Sequence, residues 1–242
     1  FLQHLDGELK EVAQNGQLEN TVHQYIPSPH IEPRLLVRYM LQAIGEERFS
    51  QLLRDPPALP DSSKGTELYR FFDSLKQRQP TKPKQPELFG GDDQKPSDTE
   101  DTHFLMRWLG GHQVYVDERD KYHLWAEERL SPAVAFPYLR ILVNGMESQG
   151  ILKRMVLLLD EFEDVQTLKT QPQSEYIQAL KGLLNSFNWR GLFIIIAGQS
   201  ASFTTLGSRY PSLSDRWQRV KLEPVQSSAQ AVILAKAYME FG

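Results

Sequence analysis

Two adjacent carboxylates end the most apolar segment of the chain. Residues 154–165 read RMVLLLDEFEDV, and the apolar run from Met155 to Leu159 stops on Asp160 and Glu161. A carboxylate is a hard oxygen ligand for a divalent cation, and a second one beside it can take a proton from an attacking water. That division of labour needs the first acid near the metal and the second, one residue on, facing the nucleophile. In open parallel sheets, ligands bind outside the carboxyl ends of the strands, where an acid pair following a buried strand lies. The plain alternative is an acidic loop whose carboxylates are solvated or cap a helix. Glu163 and Asp164 extend the acidic tip and suit a supporting role or a helix start. A second apolar run, LFIIIAG at 192–198, closes on Gly198, Gln199 and Ser200. That tip is either a polar reader of a ligand held by the acid pair or an ordinary strand-to-loop turn.

Composition narrows the chemistry. The 242 residues are 40% hydrophobic and 24% charged, an ordinary globular mix long enough for one large domain or two small ones. The formal net charge of -4 gives no overall basic footprint, so a nucleic-acid contact would need a local patch or another chain. With no cysteine, disulfides, thiolate zinc sites and a cysteine nucleophile are excluded, and a reducing cytoplasm fits. No apolar run approaches the roughly 20 residues that span a bilayer, so no membrane partner is expected. His103, His112 and His123 share one region but lack cysteines or an H-E-x-x-H pattern, so solvated or capping roles are expected rather than metal ligation. No G-x-S-x-G supports a serine hydrolase. Lys76, Arg78, Lys82 and Lys84, near Phe71 and Phe72, read as a solvated flexible face. Trp108, Trp125, Trp189 and Trp217 read as core or interface anchors.

The elements that must position the acids follow from periodicity. Leu2, Leu5, Leu9 and Val12 predict a helix over 1–14, stopped by Asn15-Gly16; TVHQYI at 21–26 predicts a short strand. A second helix over 32–45 has Pro33 in its first turn and Gly45 at its end. The chain then loosens between Arg54 and Asp101. TELYRFFDSLKQR predicts a helix there, and 79–101, rich in Pro, Gly, Lys and Asp, reads as a disordered or mobile insertion. FLMRWLGG at 104–111 and SPAVAFPYLRILVNGMESQG at 131–150 predict helices, the second N-capped by Ser131 with Pro132 at its first position. After MVLLL come a helix at 174–187 capped by Ser174, the strand LFIII, a weaker strand RVKLEPV at 219–225, and the start of a last helix from 227. Strands separated by helices predict an α/β fold, a parallel sheet covered by helices on both faces. MVLLL and LFIII are continuous Val/Ile/Leu runs of the kind buried on both sides.

An apolar strand delivering Asp and then Glu resembles the Walker B motif of P-loop ATPases. The resemblance extends through FLMRWLGG, PYLRILVNGMESQGILKRMVLLLDEFEDV, GLFIIIAGQSASF and YPSLSDRW, and is clearest over 104–225. The chain resembles AAA+ ATPases of the ORC/Cdc6-like and STAND group and, within it, the ATP-binding proteins of BREX-type phage-defence systems. The resemblance implies ATP and Mg²⁺ as cofactors, with Asp160 the metal-side acid and Glu161 the catalytic base. Gln199 or Ser200 would sense the γ-phosphate, Gln199 being preferred. Arg216 would act on a neighbouring subunit's nucleotide, with Arg209 and Arg219 as rivals. It also implies partners: other protein subunits, as a homo-oligomer or within a defence complex, and DNA as a further candidate.

One departure bears on all of this. The P-loop pattern G-x-x-x-x-G-K-[ST] is missing, and no Gly-Lys dipeptide occurs anywhere in the sequence. The expectation is therefore a P-loop NTPase core of the AAA+/ASCE type lacking its first strand. Residues 1–53 would be the part of that core after the P-loop, and 54–150 a mainly helical insertion. Residues 151–225 would carry the acid pair to the short strand, and 226–242 begin a helical lid. The implied 5-1-4-3-2 strand order puts the absent strand beside LFIII, whose removal leaves unpaired backbone groups. The rival expectation is a scaffold or interaction module that retains the fold without hydrolysis.

Overall fold

The computed structural model describes residues 2–14, 20–27, 33–78, 97–125, 129–186, 191–215 and 218. It divides into two compact units, Phe1–Gln199 and Ser200–Gly242. The first unit opens with α1 (Leu2–Gln14), β1 (Thr21–Ile26), α2 (Arg34–Ile44) and α3 (Glu46–Arg54). A 3-10 turn at Asp61–Ser63 leads to α4 (Glu67–Arg78), α5 (Ser97–Leu109), α6 (Val116–Lys121) and α7 (Pro132–Ser148). Then come β2 (Arg154–Leu159), α8 (Asp164–Thr167), α9 (Thr170–Ser186) and β3 (Leu192–Ile196). The described part of the second unit is α10 (Ser200–Arg209) and α11 (Pro211–Ser214), which pack on each other.

The result is a helix-rich α/β fold. Its described sheet has three strands, all parallel, in the order β1-β2-β3. Tyr25 pairs with Leu158 and Leu158 with Ile195; Ile26 pairs with Leu159 and Leu159 with Ile196. This register brings the carboxyl ends of all three strands to one rim. The central position of β2 explains its composition: Leu157 and Leu158 point to opposite faces and both are fully buried. β3 departs from the expectation of burial on both sides. Phe193 is 63% exposed and the other four β3 residues are only half-buried. The reason is its place in the sheet, with a described neighbouring strand on one side only. The weaker strand expected at 219–225 lies outside the described residues.

Against β1 packs α1, whose expected stripe holds at Leu2, while Leu5, Leu9 and Val12 are half-buried. The same helix buries a carboxylate, Asp6. Its Oδ2 accepts a hydrogen bond from Lys10 at 2.6 Å, and its Oδ1 lies 3.3 Å from His23 Nε2 on β1. Gly45 ends α2 at φ 79°, a left-handed conformation that glycine adopts without cost, and α3 begins on the next residue.

Between β1 and β2 the helical segment builds its own aromatic core. Phe104 stacks on Tyr122 with ring centroids 4.0 Å apart and on Phe71 at 5.9 Å, and Trp108 is buried beside them. α5 starts at Ser97, so residues 97–101 are helical rather than part of a structureless insertion; residues 79–96 lie outside the described residues. The reason is Asp101, a polar residue that is only 5% exposed. It accepts the Tyr122 hydroxyl at 2.7 Å and pairs with Arg78 at 3.3 Å. Arg78, expected on a solvated basic face, instead braces this core, its guanidinium lying 4.7 Å from the Tyr122 ring centroid. Lys82 and Lys84 lie outside the described residues. Trp125 is 59% exposed, with the Arg70 guanidinium 3.3 Å above its ring, and so is not a core anchor; Trp189 and Trp217 are not described. Ser131 does precede α7, without a capping side-chain bond. α9 starts at Thr170, four residues ahead of the expected Ser174 cap, because Pro172 is tolerated in a first helical turn. Among the described residues, no helix is long and apolar enough to cross a membrane.

Candidate functional site

The acid pair occupies the turn that leaves the central strand, and the turn is held by its backbone hydrogen bonds. Asp160 N–H donates to Ile26 O of β1 at 3.0 Å. Glu161 N–H donates to the Asp160 side chain, Oδ1, at 3.0 Å. Phe162 N–H donates across to Ala197 O beyond β3 at 3.0 Å, while Ala197 N–H reaches back to Leu159 O at 2.8 Å. The chain is thus tied to β1 at Asp160 and to β3 at Phe162, and Glu161 lies between the two ties. It takes φ 51°, the left-handed region that a non-glycine residue rarely occupies. Such conformations persist where the surroundings over-determine them. Here the buried ring of Phe162, packed against Tyr176 at 6.4 Å, supplies that constraint.

Asp160 is half-buried and Glu161 exposed, so both carboxylates stand at the carboxyl rim, as expected from the sequence. Asp160 has a partner that sequence reasoning missed. The Tyr25 hydroxyl, from the end of β1, donates to Asp160 Oδ2 at 3.2 Å. Burial first, then the charge and hydrogen bond of Asp160 and the charges of Glu161 and Asp6, hold the Tyr25 phenol above its ordinary value. It therefore remains a neutral donor at physiological pH. The available signal was positional: Tyr25 is the penultimate residue of a strand expected to pair beside MVLLL.

A second missed contact runs to β3. Glu163 Oε2 accepts the backbone N–H of Gln199 at 3.2 Å. Gln199 is thereby joined to the acid turn through its main chain; its side chain is exposed. Ser200 opens α10 in the second unit, and Arg209 closes that helix with its guanidinium 5.8 Å from the Tyr210 ring. Arg216 and Arg219 lie outside the described residues.

The donor set can be tested against Mg²⁺. Among the described residues, no group of three or more His, Asp or Glu side chains could hold a metal by itself. Mg²⁺ is ordinarily held by one or two carboxylates, with water and substrate phosphates completing the shell. Asp160 fits that pattern, since each of its oxygens accepts one hydrogen bond and keeps a free lone pair.

Residues 92–238 match the family described as "BREX system ATP-binding protein BrxC/D". The chain belongs to this family. The matched span carries the acid turn, β2, β3 and the helices α5 to α7, but not β1 with Tyr25. The resemblance to BREX ATP-binding proteins read from FLMRWLGG, LLLDEFEDV and the segments after them is borne out at the level of this family. No curated protein and no solved structure matches the chain.

Proposed function

We propose that this chain, as part of a core completed by a P-loop in the full-length protein, binds and hydrolyses ATP in a BREX defence system and uses the nucleotide state to drive assembly or remodelling of protein or DNA partners. The observation that carries the proposal is the acid turn. The backbone that carries its two adjacent carboxylates is held at the carboxyl rim of the central strand, and the family's name is that of an ATP-binding protein.

The parallel order β1-β2-β3 agrees with the 2-3-4 segment of an AAA+ core of the ORC/Cdc6-like kind. On that reading Asp160 holds Mg²⁺ directly or through water, with Tyr25 fixing the orientation of its carboxylate. Mg²⁺, when bound, screens the phosphate charge. Glu161, exposed and one residue on, accepts the proton of the attacking water. Gln199 senses the γ-phosphate from the tip of β3, with Ser200 as the adjoining candidate. Arg216 acts on the nucleotide of a neighbouring subunit, which makes the working form an oligomer or a complex with other defence proteins. The reaction takes place in the cytoplasm.

The test is ATP binding and turnover of the wild type and of Glu161→Gln. Retained binding with turnover reduced by roughly a hundredfold or more is expected, because the general base is lost while the metal-side acid remains. Equal turnover in both sinks the assignment of Glu161. A second reading turns on the phosphate cradle: a full-length protein with no Gly-Lys-Ser/Thr ahead of residue 1 would favour it. On that reading the chain is a scaffold or interaction module that keeps the fold without hydrolysis. A wild type that neither binds nor turns over ATP selects it.

A further inference from the structure

The geometry points to Glu163 as a positioning residue that clips the tip of β3 to the acid turn and so sets where Gln199 stands. The inference rests on the nucleotide reading above, in which Gln199 senses the γ-phosphate.

Glu163 precedes α8, where an acid would ordinarily serve its own helix start. It does not: the α8 N-terminus has no side-chain capping bond. Its Oε2 instead accepts the Gln199 backbone N–H at 3.2 Å, thirty-six residues away in sequence. Gly198 shows how closely the carboxylate is seated. A Cβ built there would stand 2.7 Å from Glu163 Oε2, 3.3 Å from Phe162 Cβ and 3.4 Å from Phe162 N. Gly198 lies outside the left-handed φ range, so a side chain there would meet no backbone penalty; it would push the Glu163 carboxylate aside.

Two neighbouring residues of the acid turn therefore hold two nearby residues of the β3 tip. Phe162 N–H reaches Ala197 O through the main chain, and Glu163 reaches Gln199 through a side chain. The first tie is fixed by the burial of the Phe162 ring. The second depends on one carboxylate at a half-buried position and can be released without unfolding the strand. Catalytic geometry tolerates little play, since ångström-scale misplacement of a group can cost on the order of a hundredfold in rate. A released tip would leave Gln199 present but out of register with Asp160 and Glu161.

The test uses the full chain and two ways of breaking the same contact. Glu163→Ala removes the acceptor. Gly198→Ala displaces it sterically and leaves its charge. Each is expected to lower kcat about tenfold or more while changing the Kd for ATP by no more than about threefold. The double variant should be no slower than the worse single one, because both act on one contact. Glu163→Gln keeps a side-chain oxygen that can accept the Gln199 N–H and should restore most of the turnover. Without nucleotide, hydrogen exchange in a peptide spanning Gln199 should be faster in both alanine variants and return towards wild type in Glu163→Gln.

Wild-type turnover together with wild-type exchange in both alanine variants overturns the clip alone. So does Glu163→Gln that is as slow as Glu163→Ala although its exchange is restored. A wild type that neither binds nor hydrolyses ATP overturns the nucleotide reading and this role with it.

Discussion

Among the described residues are two tyrosine–aspartate pairs with contrasting surroundings. In the helical segment, the Tyr122 hydroxyl donates to Asp101 at 2.7 Å and Arg78 completes the site with a cation 3.3 Å from the same oxygen. At the sheet rim, the Tyr25 hydroxyl donates to Asp160 at 3.2 Å, and the other carboxylate oxygen is taken by a neutral backbone amide. No described cationic side chain pairs with Asp160. Its neighbour in sequence is a second carboxylate, Glu161. The first pair is electrostatically complete and buried, which is what a stabilising contact needs. The second is half-exposed and, among the described residues, has no cationic partner; a bound cation would offset its charge. The same two residue types thus serve the fold in one place and, on the reading proposed here, chemistry in the other.

The largest stability difference should come from neutralising the two aspartates. Asp101→Asn weakens a buried, charge-assisted arrangement and deprives Arg78 of its anionic partner, so a loss of about 2 to 3 kcal/mol is expected by urea unfolding. Asp160→Asn removes a half-exposed charge beside another of the same sign. Its unfolding free energy should stay within about 0.5 kcal/mol of wild type. Its ATP turnover and Mg²⁺ dependence, by contrast, should collapse. If Asp160→Asn were the more destabilising of the two, the rim pair would be structural and the contrast between the sites would fail.

That contrast also shows what the sequence could and could not disclose. The acid pair was legible because an unbroken apolar run fixes where β2 ends, and β1 was found at its observed bounds, Thr21–Ile26, from TVHQYI. Gly45 and Pro33 marked the limits of α2 because their backbone chemistry is local. Burial was not local. MVLLL and LFIII read alike, yet Leu158 is sealed and its sheet partner Ile195 is half-buried, because burial depends on what lies on either side of a strand. Asp101 was misread for the same reason. Within SDTEDT it resembles a solvated loop acid, and only Tyr122 and Arg78, brought in from two other segments, account for its burial. The partners of Tyr25 and Glu163 escaped notice because they are 135 and 36 residues away, although Glu163 itself was legible as a supporting acid. Contacts made by register leave no periodic trace.

The phenols give the finer comparison. Tyr122→Phe removes the hydroxyl that solvates a buried carboxylate, and a loss of about 1 to 2 kcal/mol is expected. Tyr25→Phe removes a longer bond to a carboxylate that water can reach, and should cost no more than about 0.5 kcal/mol. pH separates the two kinds of contribution further. Burial first, then the hydrogen bond and charge of Asp101, hold the Tyr122 phenol well above its ordinary value. A group whose pKa is raised on folding contributes stability that is fully present below its unfolded pKa, about 10 for tyrosine, and that is lost as pH rises towards the folded value. The gap between wild type and Tyr122→Phe should therefore be constant from pH 6 to about pH 9 and shrink above about pH 10, provided the native state persists there. Unfolding free energies measured across that range decide the matter. A gap that widened at alkaline pH would mean that the Tyr122 phenolate is stabilised in the fold, which a buried oxygen beside Asp101 cannot be.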